Sequence, residues 1–166
     1  MLLQEEVCAR LEEMGVPYER LAHAPVHTME DCAPNAARLH ALMPKNLFLT
    51  PRNESSFTLF IVRPDIAFRT ADVSKKLGLS RLSFASPERL REYMRTAPGA
   101  ISPMGLLFDE RRIVRLAVDA ALWDAPRLAF HPCVPTETLA LSQEAFRAFL
   151  AALGREAQTV RLEGEA

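Results

Sequence analysis

Apolar residues recur at helical spacing near both ends of the chain. The spacing predicts an amphipathic helix over residues 3–14, and Gly15 follows as a C-terminal stop. A second helix is predicted after Ser142, which suits an N-cap, and it ends at Gly154. End signals predict two shorter helices between them: Thr70–Leu77 before Gly78, and one that starts at Ser86–Pro87.

The segment after residue 27 combines a helix start with an early proline. Thr28 and Asp31 have the spacing of a capping box, with Asp in place of the usual Glu. Pro34 interrupts the pattern, because it lacks a backbone N–H and crowds the preceding turn. We therefore predict a short turn followed by a second helical piece over residues 35–42.

Apolar, β-rich runs predict strands between these helices. The two longest, residues 45–50 and 57–62, are joined by turn-forming residues and predict a hairpin. Further strands are predicted over residues 18–23, 81–85, 106–108, 113–118, 128–131, 138–141 and 158–162. Residues 98–105 are predicted to form a loop. Because helices and strands alternate without a regular βαβ rhythm, we predict a mixed α/β fold, with a sheet curled around a core and helices packed outside.

Length and charge narrow the class of protein. A chain of 166 residues is predicted to form one domain over residues 1–166, with a loose tail at residues 164–166. Twenty Lys and Arg residues against twenty-one Asp and Glu residues give a net charge of −1. This balance excludes nucleic-acid binding by bulk positive charge but not by a local basic patch.

The cysteines and the hydropathy pattern indicate the compartment. Cys8, Cys32 and Cys133 form no C-x-x-C pair, which predicts free thiols and a cytoplasmic, reducing setting. The first residues lack the basic start and long apolar run of a secretory signal. No run approaches the roughly 18 apolar residues that span a membrane.

Two segments are candidates for ligand binding, and each also has an ordinary structural interpretation. Lys45 starts an apolar run; it is either a solvated charge at a strand end or a cation that reaches a phosphate or a polarised carbonyl. Residues 99–103 form either a simple connection or a bend whose N–H groups hold a carbonyl or a developing oxyanion. The residues themselves leave both interpretations open.

The histidines and cysteines have no recognisable catalytic or metal spacing. His131 and Cys133 would share a strand face, but Pro132 disturbs that geometry and no third orienting residue is evident. His23 and His27 would bind one metal only on a helix, which Pro25 opposes. Common hydrolase, protease and nucleotide-binding motifs are also missing from the sequence.

Basic residues cluster in two places, near residues 69–76 and 89–95. Solvated helix faces explain each group, and aromatic residues that would stack single strands are not interleaved with them. Nonspecific nucleic-acid binding is therefore not expected.

Four segments together carry a resemblance that none of them carries alone. They are Ala24–Asp31, Lys45–Leu49, Gly99–Leu107 and Phe130–Leu139. In this order they resemble the prolyl-tRNA editing family, the YbaK-like and ProX-like domains related to the editing insertion of bacterial prolyl-tRNA synthetase. The resemblance covers nearly the whole chain and is strongest to the free-standing ProX-like group.

The resemblance implies a fold, a reaction and a set of site residues. The implied fold has a strongly bent mixed central β-sheet, and the implied reaction hydrolyses the ester of alanine mischarged on proline tRNA, without a metal or other cofactor. Lys45 would hold the phosphate or ribose of the terminal adenosine, with Asn46 orienting the ribose. The backbone of Gly99, Ala100, Ile101, Ser102 and Pro103 would hold the aminoacyl group, and His131 would line its pocket. The triplet His131–Cys133 departs from the usual His-Pro-Asn, so no role is carried over to Cys133.

The implied mechanism needs no strong protein base. An oxyanion-hole donor is worth about 2.7–4 kcal/mol, and the substrate 2′-hydroxyl would position the attacking water. The pocket of a synthetase that accepts proline rejects a smaller amino acid only weakly, by about 1–3 kcal/mol per missing methylene. A second, narrow site that admits only the smaller amino acid would supply the remaining discrimination between alanine and proline. A few cations, namely Lys45, Arg69, Lys75 and Lys76, would grip the acceptor end.

Several alternatives stay open at this point. The mischarged amino acid could be cysteine or serine, or the tRNA could be a different one. Alternatively, the fold could serve as a noncatalytic module that binds tRNA, a synthetase or a translation factor. The expected partner is the acceptor 3′ end of mischarged tRNA, with prolyl-tRNA synthetase or an elongation factor as an additional partner to be tested. Neither DNA nor a membrane is an expected partner.

Overall fold

The computed structural model describes residues 1–67 and 69–162. The expected tail at residues 164–166 lies outside these ranges. Within them the helices are α1 Leu3–Glu13, α2 Met29–Arg38, α3 Thr70–Leu77, α4 Pro87–Met94 and α5 Gln143–Ala152. The strands are β1 Glu19–Ala22, β2 Lys45–Pro51, β3 Phe57–Val62, β4 Leu82–Phe84, β5 Val114–Asp119, β6 Arg127–Phe130, β7 Glu137–Ser142 and β8 Gln158–Val160. Short 3-10 helices cover Pro98–Ala100, Pro103–Phe108 and Ala120–Asp124.

The strands form two sheets. The larger has the order β4-β2-β3-β5-β8, in which β2 is antiparallel to β3 and β4, whereas β3–β5 and β5–β8 are parallel. The smaller, antiparallel sheet has the order β1-β7-β6. The predicted mixed α/β fold and the β2–β3 hairpin are confirmed. The sequence pattern did not indicate that the strands divide between two sheets.

The larger sheet is buried on both faces. Phe48, Leu59 and Ile61 on one face belong to the main core, which also contains residues of β6, β7, α1 and α5. The alternate residues, such as Leu49 and Phe60, pack with α3 in a second cluster. Burial on both sides explains why β2 and β3 are continuous apolar runs rather than alternating ones.

The helix ends follow the predicted signals. Thr28 and Asp31 form the capping box of α2, with 3.1 Å between Asp31 N and Thr28 Oγ1. Gly78 ends α3 with a φ of 70°, a left-handed conformation that glycine adopts without strain. Ser86 caps α4 by accepting from the Arg89 N–H.

The predicted break at Pro34 is wrong, because α2 continues through that residue to Arg38. Pro34 removes one backbone hydrogen bond. The capping box stabilises the first turn, and the buried side chains of Cys32 and Ala36 hold the helix against the protein, which offsets that loss. The chain leaves the helix at His40, where φ is 51°, so the separate helix over residues 35–42 does not form.

The predicted strand over residues 106–108 is also wrong. These residues belong to the 3-10 helix Pro103–Phe108, which Ser102 caps by accepting from the Met104 N–H at 3.1 Å. A short apolar run does not distinguish a buried strand from a buried helical turn. The cap and the packing of Gly105 against Met94 decide the outcome here.

Candidate active site

A cavity of about 240 Å³ lies at the start of β2. The β1–α2 connection, the first residues of β2, the 98–101 segment and the end of β6 surround it. It is lined by Val26, His27, Thr28, Met29, Cys32, Met43, Pro44, Lys45, Asn46, Leu47, Pro98, Gly99, Ile101, Phe130 and His131. Five residues singled out from the sequence, Lys45, Asn46, Gly99, Ile101 and His131, therefore meet at one place.

Lys45 stands at the cavity rim as the first residue of β2. Pro44 precedes it and lines the same cavity, and the Lys45 backbone pairs with Val62 of β3. In the described part of the chain no carboxylate lies within ion-pair distance of the Lys45 ammonium group. The charge is half-buried and available to an anionic or polarised group of a ligand.

Asn46 lines the same cavity and carries an unsatisfied acceptor. Its Nδ2 atom donates to the Pro44 carbonyl at 3.5 Å, the outer limit of a hydrogen bond. Its Oδ1 atom is buried, and no donor among the described residues reaches it. Buried acceptors are normally satisfied, so an orphan acceptor beside Lys45 suits an N–H or O–H group of a ligand.

Three residues of the 98–101 segment line the cavity, Pro98, Gly99 and Ile101. A Cβ atom built on Gly99 would meet nothing closer than the Val26 carbonyl oxygen, at 4.0 Å. Glycine is therefore not required there by protein packing. Its small size leaves the backbone open to whatever occupies the cavity.

The other three residues of the expected loop do not line the cavity. Ala100 and Ser102 are fully buried, and Pro103 is buried at the start of the 3-10 helix. The Thr96 hydroxyl donates to the Ala100 carbonyl at 2.8 Å, and the Ser102 hydroxyl caps the Met104 N–H. These contacts hold the bend in place. Ala100, Ser102 and Pro103 therefore fix the backbone conformation of the bend but do not contribute to the cavity wall.

His131 lies in the cavity wall and is 7 % exposed. Its Nδ1 atom is 2.8 Å from the Glu137 carbonyl, which only accepts, so Nδ1 carries the proton and donates. Burial lowers the pKa of His131, against the opposing effect of the hydrogen bond to Glu137. The ring is therefore neutral near pH 7, and its Nε2 atom is an acceptor.

Cys32 is one of the cavity residues that were not predicted from the sequence. Its Sγ atom lies 3.7 Å from His131 Nε2, and the S–H group donates to that nitrogen. Burial raises the pKa of Cys32, with a further contribution from the Asp31 charge. The spacing of three positions from Met29 to Cys32 within a capped helix would have placed both on one helix face.

Cys133 does not pair with His131. Strand β6 ends at Phe130, so both residues lie beyond it and the alternation of a strand does not apply. Cys133 is 3 % exposed, and burial raises the pKa of its thiol to about 12. Its φ of 65° is a left-handed conformation in which asparagine is more common than cysteine.

Other sequence candidates lie outside this cavity. Arg69, Lys75 and Lys76 are exposed on or beside α3, and Lys76 donates to the Arg161 carbonyl. In the described ranges, no three His, Cys, Asp or Glu side chains cluster as metal ligands would. All three cysteines are free and buried.

The model of the aminoacyl-tRNA editing domain family matches residues 23–149 of this chain. The chain belongs to this family. The matched range begins at the β1–α2 connection and includes every segment that lines the cavity. Membership makes the chain an aminoacyl-tRNA deacylase, an enzyme that hydrolyses the ester between an amino acid and tRNA.

Two relatives extend the match to nearly the full chain. Prolyl-tRNA editing protein ProX of Acetoanaerobium sticklandii is 30% identical over 159 residues, which cover 96% of this chain and 97% of that protein. Prolyl-tRNA synthetase associated domain-containing protein 1 of Mus musculus is 28% identical over 158 residues, covering 93% of each chain. The expected resemblance to prolyl-tRNA editing proteins is confirmed.

A solved structure shows the same fold for this editing domain. It is described as a candidate trans-editing enzyme for prolyl tRNA synthetase, and it superposes with a TM-score of 0.73 at 18% identity, covering 98% of this chain and 99% of the other. At that identity the likeness concerns the fold alone. Among the described residues, no helix has the length and apolar character needed to cross a membrane.

Proposed function

We propose that residues 1–166 form a single, cytoplasmic trans-editing deacylase domain that removes alanine from mischarged proline tRNA. The observation that carries the proposal is the convergence of Lys45, the orphan Asn46 acceptor and the Gly99 and Ile101 backbone on one small cavity. The likeness to a prolyl-tRNA editing protein supports proline tRNA as the substrate class.

The size of the cavity supports a small aminoacyl group. A volume of about 240 Å³ lies below the range of about 300–1,000 Å³ that is typical of sites for larger small molecules. Apolar side chains, including Val26, Met43 and Phe130, form part of its wall. We infer that this wall accepts the methyl group of alanine better than a bulkier ring, which is the sense of discrimination that a second sieve needs.

The proposed reaction is hydrolysis at the aminoacyl ester. The Lys45 ammonium holds the phosphate or ribose of the terminal adenosine, and Asn46 accepts from a ribose hydroxyl. Backbone N–H groups at Gly99 and Ile101 polarise the ester carbonyl, and the buried Ala100, Ser102 and Pro103 keep that bend in position. His131 completes the acyl pocket as a neutral wall.

The bond changes balance without a protein base. A water molecule, oriented by the substrate 2′-hydroxyl, attacks the carbonyl carbon and forms a tetrahedral oxyanion that the backbone N–H groups stabilise. The ester C–O bond then breaks, and the 3′-oxygen leaves with a proton that derives from the water. The products are free alanine and uncharged tRNA. No metal or other cofactor takes part in this proposal.

A panel of mischarged tRNAs tests the proposal. Single-turnover release is measured for alanyl-, prolyl-, cysteinyl- and seryl-tRNA(Pro), with spontaneous hydrolysis subtracted. We expect rapid release of alanine and little release of proline. Equal release of alanine and proline would overturn the alanine assignment, and faster release of cysteine or serine would replace it.

The panel also separates an enzyme from a binding module. A noncatalytic domain would form a complex with tRNA and release no amino acid above the spontaneous rate. Repeating the assay with added prolyl-tRNA synthetase or elongation factor shows whether either partner accelerates release. Full activity of the isolated chain would make both dispensable.

A further inference from the structure

Phe84 differs from the other aromatic residues of the larger sheet because it faces solvent. It is 63 % exposed and is the last residue of β4, the outer strand of that sheet. One exposed apolar side chain needs no explanation by itself. An exposed aromatic ring at the edge of a sheet does call for an explanation, because such an edge favours contact with another molecule. The surroundings of Phe84 indicate which molecule.

Phe84 lies on the same face of the sheet as Lys45. It pairs with Leu49 in the antiparallel β2–β4 ladder, and paired residues point to one face. Lys45 precedes Leu49 by four positions on β2, and an even spacing returns to the same face. The two residues are therefore separated by about 13 Å along the strand direction.

The edge of β2 between them borders the cavity. Strand β4 pairs with β2 only at Leu49–Pro51, whereas Lys45, Asn46 and Leu47 line the cavity. A chain that leaves the cavity in the direction of Leu49 passes next to Phe84, the residue that pairs with Leu49. The exposed ring is thus the next surface that such a chain would meet.

A cationic groove lies past the Pro51–Leu82 pair, at the end of the β2–β4 pairing that is farther from Lys45. It has a volume of about 570 Å³ and is lined by Arg52, Asn53, Ser80 and Arg81. Across the described residues, neither guanidinium lies within ion-pair distance of a carboxylate. The acid in the same turn, Glu54, is paired with Arg89 at 3.0 Å.

We propose that this edge binds the single-stranded 3′ end of the substrate RNA, with an unpaired base stacked on Phe84 and phosphates held by Arg52 and Arg81. The inference rests on the proposed function, since it takes a terminal adenosine at Lys45 as its starting point. Bases stack on aromatic rings independently of their identity, and arginine suits phosphate oxygens. Because this binding surface needs only one aromatic ring and two arginines, it is compatible with a net charge of −1 for the whole chain.

Binding of RNA hairpins tests this surface without any turnover. One probe ends in an unpaired 3′ tail, and the other is the same hairpin with a blunt end. We expect wild-type protein to prefer the tailed hairpin. We expect Phe84→Ala to weaken binding of the tailed probe by about 5- to 150-fold, the usual range for loss of one stacked base. Phe84→Tyr should keep the affinity, and Phe84→Leu should not restore it.

Leu2→Ala is the matched control. Leu2 is 64 % exposed, so this variant removes an equally exposed apolar side chain near the start of the chain, just before α1. It should bind both probes as wild type does. Replacing Arg52 and Arg81 by glutamine should reduce the dependence of log affinity on log salt by about 0.7 for each phosphate that is no longer neutralised.

Three outcomes would overturn the inference. Phe84→Ala binds the tailed hairpin as tightly as wild type, or it loses affinity equally for the blunt hairpin, or wild type is a dimer that Phe84→Ala dissociates. The last result would assign the edge to a second copy of the chain. If wild type binds the tail through Phe84 but releases no amino acid from any mischarged tRNA, the proposed function fails and this binding surface stands.

Discussion

Cys32 and His131 contact each other in the cavity wall, with 3.7 Å between Sγ and Nε2. A cysteine next to a histidine can form a thiolate–imidazolium pair, but burial opposes both charges here. It raises the pKa of Cys32 and lowers the pKa of His131. The pair is therefore a neutral thiol and a neutral imidazole, which suits a wall around a small acyl group better than a nucleophile.

The lowered pKa of His131 makes stability dependent on pH. Above 6.5, the ordinary pKa of histidine, the ring is neutral in both the folded and the unfolded chain. Below it the unfolded chain takes up a proton that the folded chain resists, so the free energy of unfolding decreases as pH falls. We expect urea unfolding to show lower stability at about pH 5 than at about pH 7.5.

His131→Gln is the control for this effect, because it removes the titrating ring. His23, whose ring centroid lies 6.3 Å from that of His131, is replaced by glutamine in a parallel variant. The His131 variant should show a flatter pH profile than the His23 variant. An equally steep profile in the His131 variant would show that another group causes the loss of stability.

Replacement of Lys45 should impair the reaction and leave the fold intact. Lys45→Ala removes a half-buried cation with no ion-pair partner in the described part of the chain. A hydrogen bond to a charged group is worth about 1.5–3 kcal/mol, so kcat/KM should fall by about 10- to 150-fold. Single-turnover deacylation measures the loss, and circular dichroism checks the fold.

Arg111→Ala is the surface control, since Arg111 is an exposed cation that does not line the cavity. Its removal should change kcat/KM far less than the removal of Lys45. If the two variants deacylate tRNA equally fast, Lys45 does not hold the substrate in the reaction.

Two glycines should respond differently to alanine. In Gly105→Ala the new Cβ atom would lie 2.8 Å from Met94 Cβ and 2.9 Å from the Met94 carbonyl oxygen. Overpacking of this kind costs about 1–3 kcal/mol, so the thermal midpoint should decrease. In Gly99→Ala the Cβ atom has room, and the midpoint should stay close to that of wild type.

The deacylation activity of the same two variants should rank in the opposite order to their thermal stability. The methyl group of Gly99→Ala adds volume at the cavity wall, where one carbon is worth about 1–3 kcal/mol, so activity should fall by about 5- to 150-fold. Gly105→Ala, assayed well below its midpoint, should retain more activity than Gly99→Ala. The reverse order would remove the 99–101 backbone from the acyl site.

Cys133 should be dispensable for the reaction. Its thiol is buried, does not line the cavity, and has a pKa of about 12 because of burial. We expect Cys133→Ala to keep the specific activity of wild type, with a modest decrease in stability because the smaller side chain packs less well. Loss of activity in a variant that remains folded would revive thiol chemistry at this position.

Much of the local structure could be predicted because it depends on neighbours in the sequence. The bounds Thr70–Leu77 follow from Gly78, and α4 begins at the Ser86–Pro87 signal. The β2–β3 hairpin follows from two apolar runs and the turn residues between them. Pro34 shows the limit of such rules, since capping and burial of α2 outweigh the loss of one hydrogen bond.

The site could be predicted only in part. Lys45, Asn46, Gly99 and His131 were found through ordered motifs, and the fold brings them to one cavity. Ile101 faces that cavity while its neighbours Ala100 and Ser102 are buried, a division that depends on hydrogen bonds made by Thr96 and the 3-10 helix. Motif spacing carries no information on such contacts.

By itself the sequence determined the ends of α1, α3 and α5, the hairpin, the mixed α/β class and the family, because these depend on periodicity, capping and ordered motifs within short stretches. Only the tertiary structure decided that the strands form two sheets, that Cys32 meets His131, and that Phe84 remains exposed on the face that carries Lys45. The physical reason is that exposure, pKa shifts and cavity walls arise from contacts between residues far apart in the chain. Cys32 and His131, for example, are separated by 99 positions in the sequence.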